Sequence, residues 1–279
     1  MIYTFTLNPS FDYIMEIDNL KLGEINRSKS EILRVGGKGI NVSRELNNLG
    51  TESTACIFVA GTVGDSIISE LNREKIKNIF VNVKGCSRIN VKLACKNETA
   101  INGKGCNADL KDVDALCGLV DTKEDDFIVL SGSVCSGLDK NIYAYIMEKL
   151  KGRFVVDAEK ELLTNTLKYK PFLIKPNHIE LGEIFECEID SFDSAVYYGK
   201  KLCEMGAENV IVSMGKAGSV FVNSNSEYVR KANRVEVKNT VGAGDTMVAG
   251  FIHSIVNGRS FIESLDFAAY LAERKIAQL

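Results

Sequence analysis

Asn239-Thr-Val-Gly-Ala-Gly-Asp245 runs directly into Thr246-Met-Val-Ala-Gly-Phe-Ile-His-Ser-Ile-Val256, and Gly258 follows. The second stretch is apolar enough to be a buried helix, and Gly258 is a fitting stop for it. Gly242 and Gly244 allow a tight turn and let a ligand approach the backbone closely. The start of a helix offers unpaired N–H groups and a partial positive charge, which together suit a phosphate. Asp245 is an odd neighbour for a phosphate, because a carboxylate repels it. Two readings account for it. Asp245 takes the proton from a hydroxyl that attacks the phosphate, or it caps the helix after a glycine turn.

Outward from this stretch, the chain alternates between β and α. Residues 2–7, 53–60, 126–131, 153–157, 172–175 and 209–213 read as core strands. Residues 41–49, 65–74, 142–150, 192–205 and 261–272 read as helices. Residues 219–222 and 227–237 read as further β structure. This order predicts a mostly parallel sheet with helices on both faces, which binds ligands at the carboxyl ends of its strands. Ser131-Gly132-Ser133, Asp157, Lys175-Pro176-Asn177 and Ser213-Met214-Gly215 all follow strands at that edge. Residues 11–35 read as short β pieces mixed with charge. Arg88 to Ile101 alternates apolar and polar residues and turns at Lys96-Asn97-Glu98, as a hairpin with one wet face does.

The chain has 279 residues and a formal net charge of -3, from 34 Lys and Arg against 37 Asp and Glu. That balance argues against nucleic acid or an anionic membrane as partner. No apolar run is long enough to cross a bilayer, and the first residues lack a signal core, so a cytoplasmic location is expected. The eight cysteines form no Cys-x-x-Cys pair and keep no ligand spacing with His178 or His253. They read as reduced thiols that serve as small core residues.

Three further stretches carry chemistry. Val35-Gly-Gly-Lys-Gly-Ile-Asn-Val42 is a second glycine turn opening a helix, in which Lys38 can neutralise an anion and Asn41 can meet hydroxyls. An ordinary strand-to-helix turn with a solvated lysine is the plainer alternative. Arg88, Asn90 and Lys92 share one face of a strand, which suits a phosphate and nearby hydroxyls, and equally a solvated edge strand. Asn177 and Glu180 lie one turn apart at a helix start, as a Mg²⁺-linked pair or as a capping box. Asp12, just past the first strand, can take a pair of sugar hydroxyls.

Taken in order, these motifs resemble the ribokinase-like (PfkB-type) carbohydrate kinases: Thr6-Leu-Asn-Pro9 with Asp12, Gly36 to Val42, Ser131-Gly-Ser133, Lys175-Pro-Asn177 with Glu180, Val212-Ser-Met-Gly215 and Thr240 to Asp245. Arg88 to Leu93 and Val156 to Leu162 are most similar to the 1-phosphofructokinase branch. The resemblance implies a three-layer α/β/α sandwich, with residues 1–279 as one kinase domain and a β lid at about 11–35 and 88–103. Lids of this kind often pair subunits, so a homodimer is expected. By position, Asp245 would be the base and the N–H groups of Gly242, Ala243 and Gly244 the anion hole. Asp12, Gly37, Lys38 and Asn41 would hold the sugar, and Arg27, Arg88, Asn90 and Lys92 its existing phosphate. Asn177 and Glu180 would serve ATP and Mg²⁺, with Glu180 on the metal. Ser213, Gly215, Gly218 and Gly244 would line the nucleotide. The implied reaction is ATP-dependent phosphorylation of fructose 1-phosphate to fructose 1,6-bisphosphate. The rivals are a tagatose-6-phosphate kinase and a non-catalytic sugar-phosphate-binding protein. Ser133-Val-Cys-Ser-Gly137 departs from the family's Leu-Pro after Ser-Gly-Ser. The chain stops at Leu279, where such kinases usually continue, which implies an open adenine pocket and weak, poorly selective nucleotide binding.

Overall fold

A computed structural model describes residues 1–95, 99–238 and 240–277. The principal sheet has nine strands, and its chain order reverses at the first of them, β1 (Ile2–Thr6). On one side of β1 lie β4 (Thr54–Val59) and β5 (Lys77–Asn82). On the other follow β8 (Phe127–Ser131), β9 (Arg153–Asp157), β10 (Leu173–Ile174) and β11 (Asn209–Ser213), all parallel. Two antiparallel strands, β12 (Gly218–Asn223) and β13 (Glu227–Lys231), finish that edge. A reversal of this kind opens a crevice at the carboxyl ends of the central strands.

Alternation along each strand sorts the core into two layers. Phe5, Phe58, Leu130 and Val156 face α3 (Leu110–Gly118), α4 (Ile142–Lys149), α5 (Lys160–Thr164), α6 (His178–Phe185) and α7 (Phe192–Glu204). Ile2, Val129, Val155 and Leu173 face α1 (Lys38–Asn48), α8 (Ala243–Val256) and α9 (Phe261–Ala277). Ala55, Ile57 and Val59 pack on α2 (Gly61–Arg73) on that same side. The expected three-layer α/β/α sandwich is therefore present.

A second sheet of four strands runs in the order β3 (Ser30–Gly36), β2 (Ser10–Glu16), β6 (Arg88–Ala94), β7 (Thr99–Asn102). Its centre is the parallel pair β2–β6, with Ser10 opposite Arg88 and Asp12 opposite Asn90. These strands fall in the segments from which a lid is expected, and the sheet is called the lid below. Its sidedness is the reverse of the expected wet polar face. The polar side of β6 turns inward, leaving Asn90 only 6% exposed, while Ile89 and Ile101 on the apolar side are 47% and 61% exposed. Nor is β6 an edge strand, since β2 and β7 flank it. The turn expected at Lys96-Asn97-Glu98 lies outside the described residues.

Other boundaries also moved. Helix α1 begins at Lys38 rather than Asn41, because its glycine-rich first turn carries no apolar period. Strand β5 carries no clear apolar run, because it is a partly exposed edge strand that mixes Lys77, Asn78 and Asn82 with its apolar residues. Helix α3, absent from the elements expected above, opens on a capping box between Asp109 and Asp112. Strand β13 stops at Lys231, short of Val237, because the chain leaves the sheet there to bond α9: Asn233 donates to both carboxylate oxygens of Glu273, at 2.8 and 2.9 Å. Helix α9 runs on to Ala277.

Candidate active site

The glycine turn at 242–244 opens α8 as expected. Gly242 is the N-cap, at φ 81°, a left-handed conformation that glycine adopts without strain. Of the first-turn amides that follow, that of Ala243 donates to the Thr240 carbonyl at 3.4 Å, and that of Gly244 has no partner within the helix by geometry. Asp245 does not cap this helix. It sits inside the first turn, 5% exposed, and its Oδ2 accepts a hydrogen bond from Asn41 Nδ2 at 2.8 Å. The capping reading is therefore set aside.

Asn41 is itself held. Its Oδ1 accepts from Arg44 Nη1 at 2.7 Å, and Arg44 Nε donates to Glu74 at 2.6 Å while its Nη2 donates to the Val35 carbonyl at 3.0 Å. The amide is thus oriented with its NH₂ toward Asp245. The turn that delivers it is tight: a Cβ on Gly37, at φ 126°, would meet Thr6 Cγ2 at 2.7 Å.

Behind Asp245 lies a buried charge cluster at the ends of β9 and β10. Lys38 Nζ reaches Asp157 Oδ1 at 3.2 Å, and Lys175 Nζ reaches the same oxygen at 3.4 Å. Lys175 Nζ also lies 3.1 Å from where a Cβ of Gly244 would stand, so its charge adjoins the first turn of α8. Burial works against the Asp157 charge, yet Lys175 and Lys38 hold its carboxyl below the ordinary range. Burial also opposes the Lys38 charge, but Asp157, Glu180 and Asp245 raise its ammonium group. Asp245 goes the other way. Burial, and next the charge of Asp157, push its carboxyl up to about 6, against the pull of Asn41, Lys38 and Lys175. A buried carboxyl raised toward neutrality suits a general base.

Asn177 and Glu180 do form a capping box on α6. Asn177 Oδ1 accepts from the Ile179 and Glu180 amides, and Glu180 Oε2 accepts from the Asn177 amide at 2.8 Å. Ser213 abuts them through its amide, which donates to the Pro176 carbonyl at 3.1 Å. Gly215 (φ 54°) and Gly218 follow in the β11–β12 turn, where a Cβ on Gly218 would strike the Arg230 carbonyl at 2.1 Å. Packing alone accounts for that glycine.

In the lid, Asp12 accepts from Ser10 Oγ at 2.8 Å, Asn90 Nδ2 at 2.9 Å and Lys92 Nζ at 2.8 Å. Burial opposes its charge, but these bonds hold its carboxyl below the usual range. Lys92 and Asn90 are therefore committed to Asp12, and Asn90 Oδ1 also accepts from the Gly103 amide at 3.2 Å. Arg88 is different. Its Nε donates to the Asn8 carbonyl at 3.1 Å, and burial lowers its guanidinium, the sign of a cation short of counter-charge. A cavity of about 200 Å³ places Arg88 and Lys38 with Asn8, Ser131 and Ser133. A larger recess along α6, about 650 Å³, involves none of Asp245, Asn41, Lys38 or Arg88. Arg27 stands apart, exposed in the loop between β2 and β3.

Lys175, Asp157, Arg44 and Glu74 belong to this arrangement without having been assigned roles. A lysine closing an apolar strand and an aspartate closing Phe154-Val-Val156 were readable signals; the Arg44–Glu74 pair, between residues far apart in sequence, was not.

The family profile of pfkB carbohydrate kinases matches residues 6–278. The chain belongs to that family. Its members are phosphotransferases with an alcohol acceptor, and the chain has their ribokinase-like fold. It is 44% identical to a 1-phosphofructokinase of Bacillus subtilis over 259 residues, 91% of this chain and 86% of that one. It is 34% identical to a D-tagatose-1-phosphate kinase of Bacillus licheniformis over 274 residues, 96% and 90% of the two chains. A crystal structure of a putative phosphofructokinase from Staphylococcus aureus superposes with a TM-score of 0.87 at 36% identity, covering 100% of this chain and 92% of the other. Among the described residues no helix is long and apolar enough to cross a membrane.

Proposed function

We propose that this kinase transfers the terminal phosphoryl group of ATP to the 6-hydroxyl of fructose 1-phosphate, giving fructose 1,6-bisphosphate. The observation that carries the chemistry is the buried Asp245, held by Asn41 at the mouth of α8 and raised to about 6. The substrate rests on the 44% identity to a relative named 1-phosphofructokinase. The sugar lies between Asp12, Gly37, Lys38 and Asn41, with its existing phosphate at Arg88 and Ser133. Its 6-hydroxyl oxygen attacks the terminal phosphorus, the bond from phosphorus to the bridging oxygen breaks, ADP leaves, and Asp245 takes the hydroxyl proton. Amides of Ala243 and Gly244, with Lys175 beside them, stabilise the negative charge that builds on the phosphoryl oxygens. The nucleotide runs along Asn177, Ser213, Gly215 and Gly218.

The residues present fit Mg²⁺. Glu180 and the buried, unpartnered Oδ2 of Asp157 are hard carboxylate donors. No group of three or more His, Cys, Asp or Glu among the described residues could cage an ion, so its other ligands would be phosphate oxygens and waters. When bound, Mg²⁺ neutralises charge on those oxygens. Sheet and lid act as one kinase unit. The apolar outer face of the lid, with Leu33, Ile89 and Ile101 exposed, suits pairing with a second copy in a cytosolic homodimer. Sedimentation that stays monomeric at working concentration would remove that pairing.

The second reading is tagatose 1-phosphate as acceptor, favoured by the 34% identical relative. That relative also moves the tagatose alternative from the 6-phosphate to the 1-phosphate. The deciding experiment measures product from fructose 1-phosphate, tagatose 1-phosphate, tagatose 6-phosphate and fructose 6-phosphate with Mg²⁺ and ATP. The highest kcat/KM is expected for fructose 1-phosphate. A preference for a tagatose phosphate would replace the substrate, and turnover of none would leave a binding protein.

A further inference from the structure

Beneath the cleft wall two buried cysteines lie side by side. Asn107, before α3, and Ser136, in the loop after β8, form an isolated parallel bridge. The Ser136 amide donates to the Cys106 carbonyl at 3.2 Å, and the Ala108 amide to the Ser136 carbonyl at 3.0 Å. This register sets Cys106 beside Cys135, one residue back on each segment and on the same face. Paired strands stand about 4.7–4.9 Å apart, within the roughly 4.4–6.8 Å between Cα atoms that a disulfide needs. The two thiols share a hydrogen bond, and the residues are 1% and 2% exposed.

The same two segments carry the cleft. Asn8 Nδ2 donates to the Lys104 and Val134 carbonyls at 3.5 and 3.4 Å, and the Asn8 carbonyl receives Arg88. Ser133, two residues before Cys135, lines the cavity with Arg88 and Lys38.

We propose that Cys106 and Cys135 are an oxidative modification site, closing reversibly to a disulfide under a hydroperoxide and thereby distorting the sugar-phosphate wall of the cleft. The shared hydrogen bond, with Arg88 nearby and against burial, holds the Cys106 thiol below its ordinary value, while that bond and burial push Cys135 up. Cys106 is therefore the attacking sulfur. Its thiolate takes the terminal oxygen of the hydroperoxide; the O–O bond breaks, and hydroxide or alkoxide leaves. The sulfur of Cys135 then attacks the sulfenic sulfur, the S–O bond breaks, and water departs with the Cys135 proton. A dithiol reverses the bond by exchange. Access comes from local opening, since the bridge between the segments is isolated. A reducing cytosol makes such a bond transient.

The test treats the full chain with hydrogen peroxide, alkylates free thiols and digests with trypsin. Peptides 105–111 and 124–140 each hold one of the two cysteines and no other. They are expected linked, two hydrogens lighter than their sum, and separate after dithiothreitol. Oxidation should lower kcat/KM for fructose 1-phosphate several-fold, reversibly, while Cys135→Ala keeps its rate through the same treatment. Separate alkylated peptides, with oxidation confined to the exposed Cys86, would overturn the proposal. So would a linked pair with unchanged kcat/KM. The linked peptide is read without substrate, so its absence and a failed kinase assay are distinct results, and the wild-type map stands even if Cys135→Ala does not fold.

Discussion

Asp245 and Asp12 are both buried aspartates of the proposed site, and their surroundings drive them in opposite directions. Asp245 sits on the rigid sandwich and accepts one hydrogen bond from a side-chain amide, with a second carboxylate, Asp157, near it. Asp12 sits on the lid and accepts from a hydroxyl, an amide and an ammonium group. The first is pushed toward taking up a proton, the second fixed as an anion. Burial is common to both, so it is the partners that divide the proposed base from the proposed anchor for sugar hydroxyls.

The largest test of this contrast is Asp245→Asn, which keeps the shape and loses the basicity. We expect kcat to fall by about 10²–10⁴-fold with sugar-phosphate binding retained; near-normal turnover would take Asp245 out of the role. Next is Arg88→Ala on the lid side. Losing a charge-assisted contact costs about 1.5–3 kcal/mol, read as a higher KM for the sugar phosphate with that for ATP little changed. Equal losses for both would make Arg88 structural.

The two aspartates should also have opposite effects on stability against pH. The Asp245 carboxyl is raised on folding, so its stabilising contribution is present in acid and lost as pH rises through about 6. That of Asp12 is lowered, so its contribution is present above the ordinary carboxyl value and lost as pH falls through the folded one. Relative to the unsubstituted chain, Asp245→Asn should gain in Tm as pH rises from acid to about 6 and hold that gain above it, and Asp12→Asn should lose as pH rises from acid to neutral. Parallel curves would erase the contrast. The smallest expected effect is that of Arg44→Gln, worth about 0.5–1.5 kcal/mol. It loosens Asn41, so kcat should fall a few-fold and the pH-rate profile shift upward, because the Asn41 bond holds the Asp245 carboxyl down.

What could be read beforehand was whatever sits in consecutive residues. The buried strands are unbroken apolar runs, and the turns at 36–39 and 242–244 carry glycines, so the layers were legible, as were the two glycine turns that open α1 and α8. Less legible were features that depend on a partner elsewhere in the chain. Lys92 looked like a phosphate ligand because its pairing with Asp12, 80 residues away, leaves no local trace. The inward turn of the polar lid face leaves no local trace either. Periodicity says which residues share a face, and only the tertiary fold says which way that face looks.

The β2–β6 pairing at the heart of the lid joins stretches 78 residues apart. Between them the chain makes β3, α1, β4, α2 and β5. Closing so long a loop adds only about 0.6 kcal/mol for each doubling of its length, so the lid loses little at equilibrium. Its cost falls on time, since non-local pairings form slowly. The half of the cleft that carries Asp245 waits longer still, since Asn41 meets Asp245 across 204 residues and α8 follows every strand of both sheets. A nascent chain therefore has all four lid strands in hand before α8 exists, and the cleft acquires its Asp12 wall ahead of its Asp245 wall.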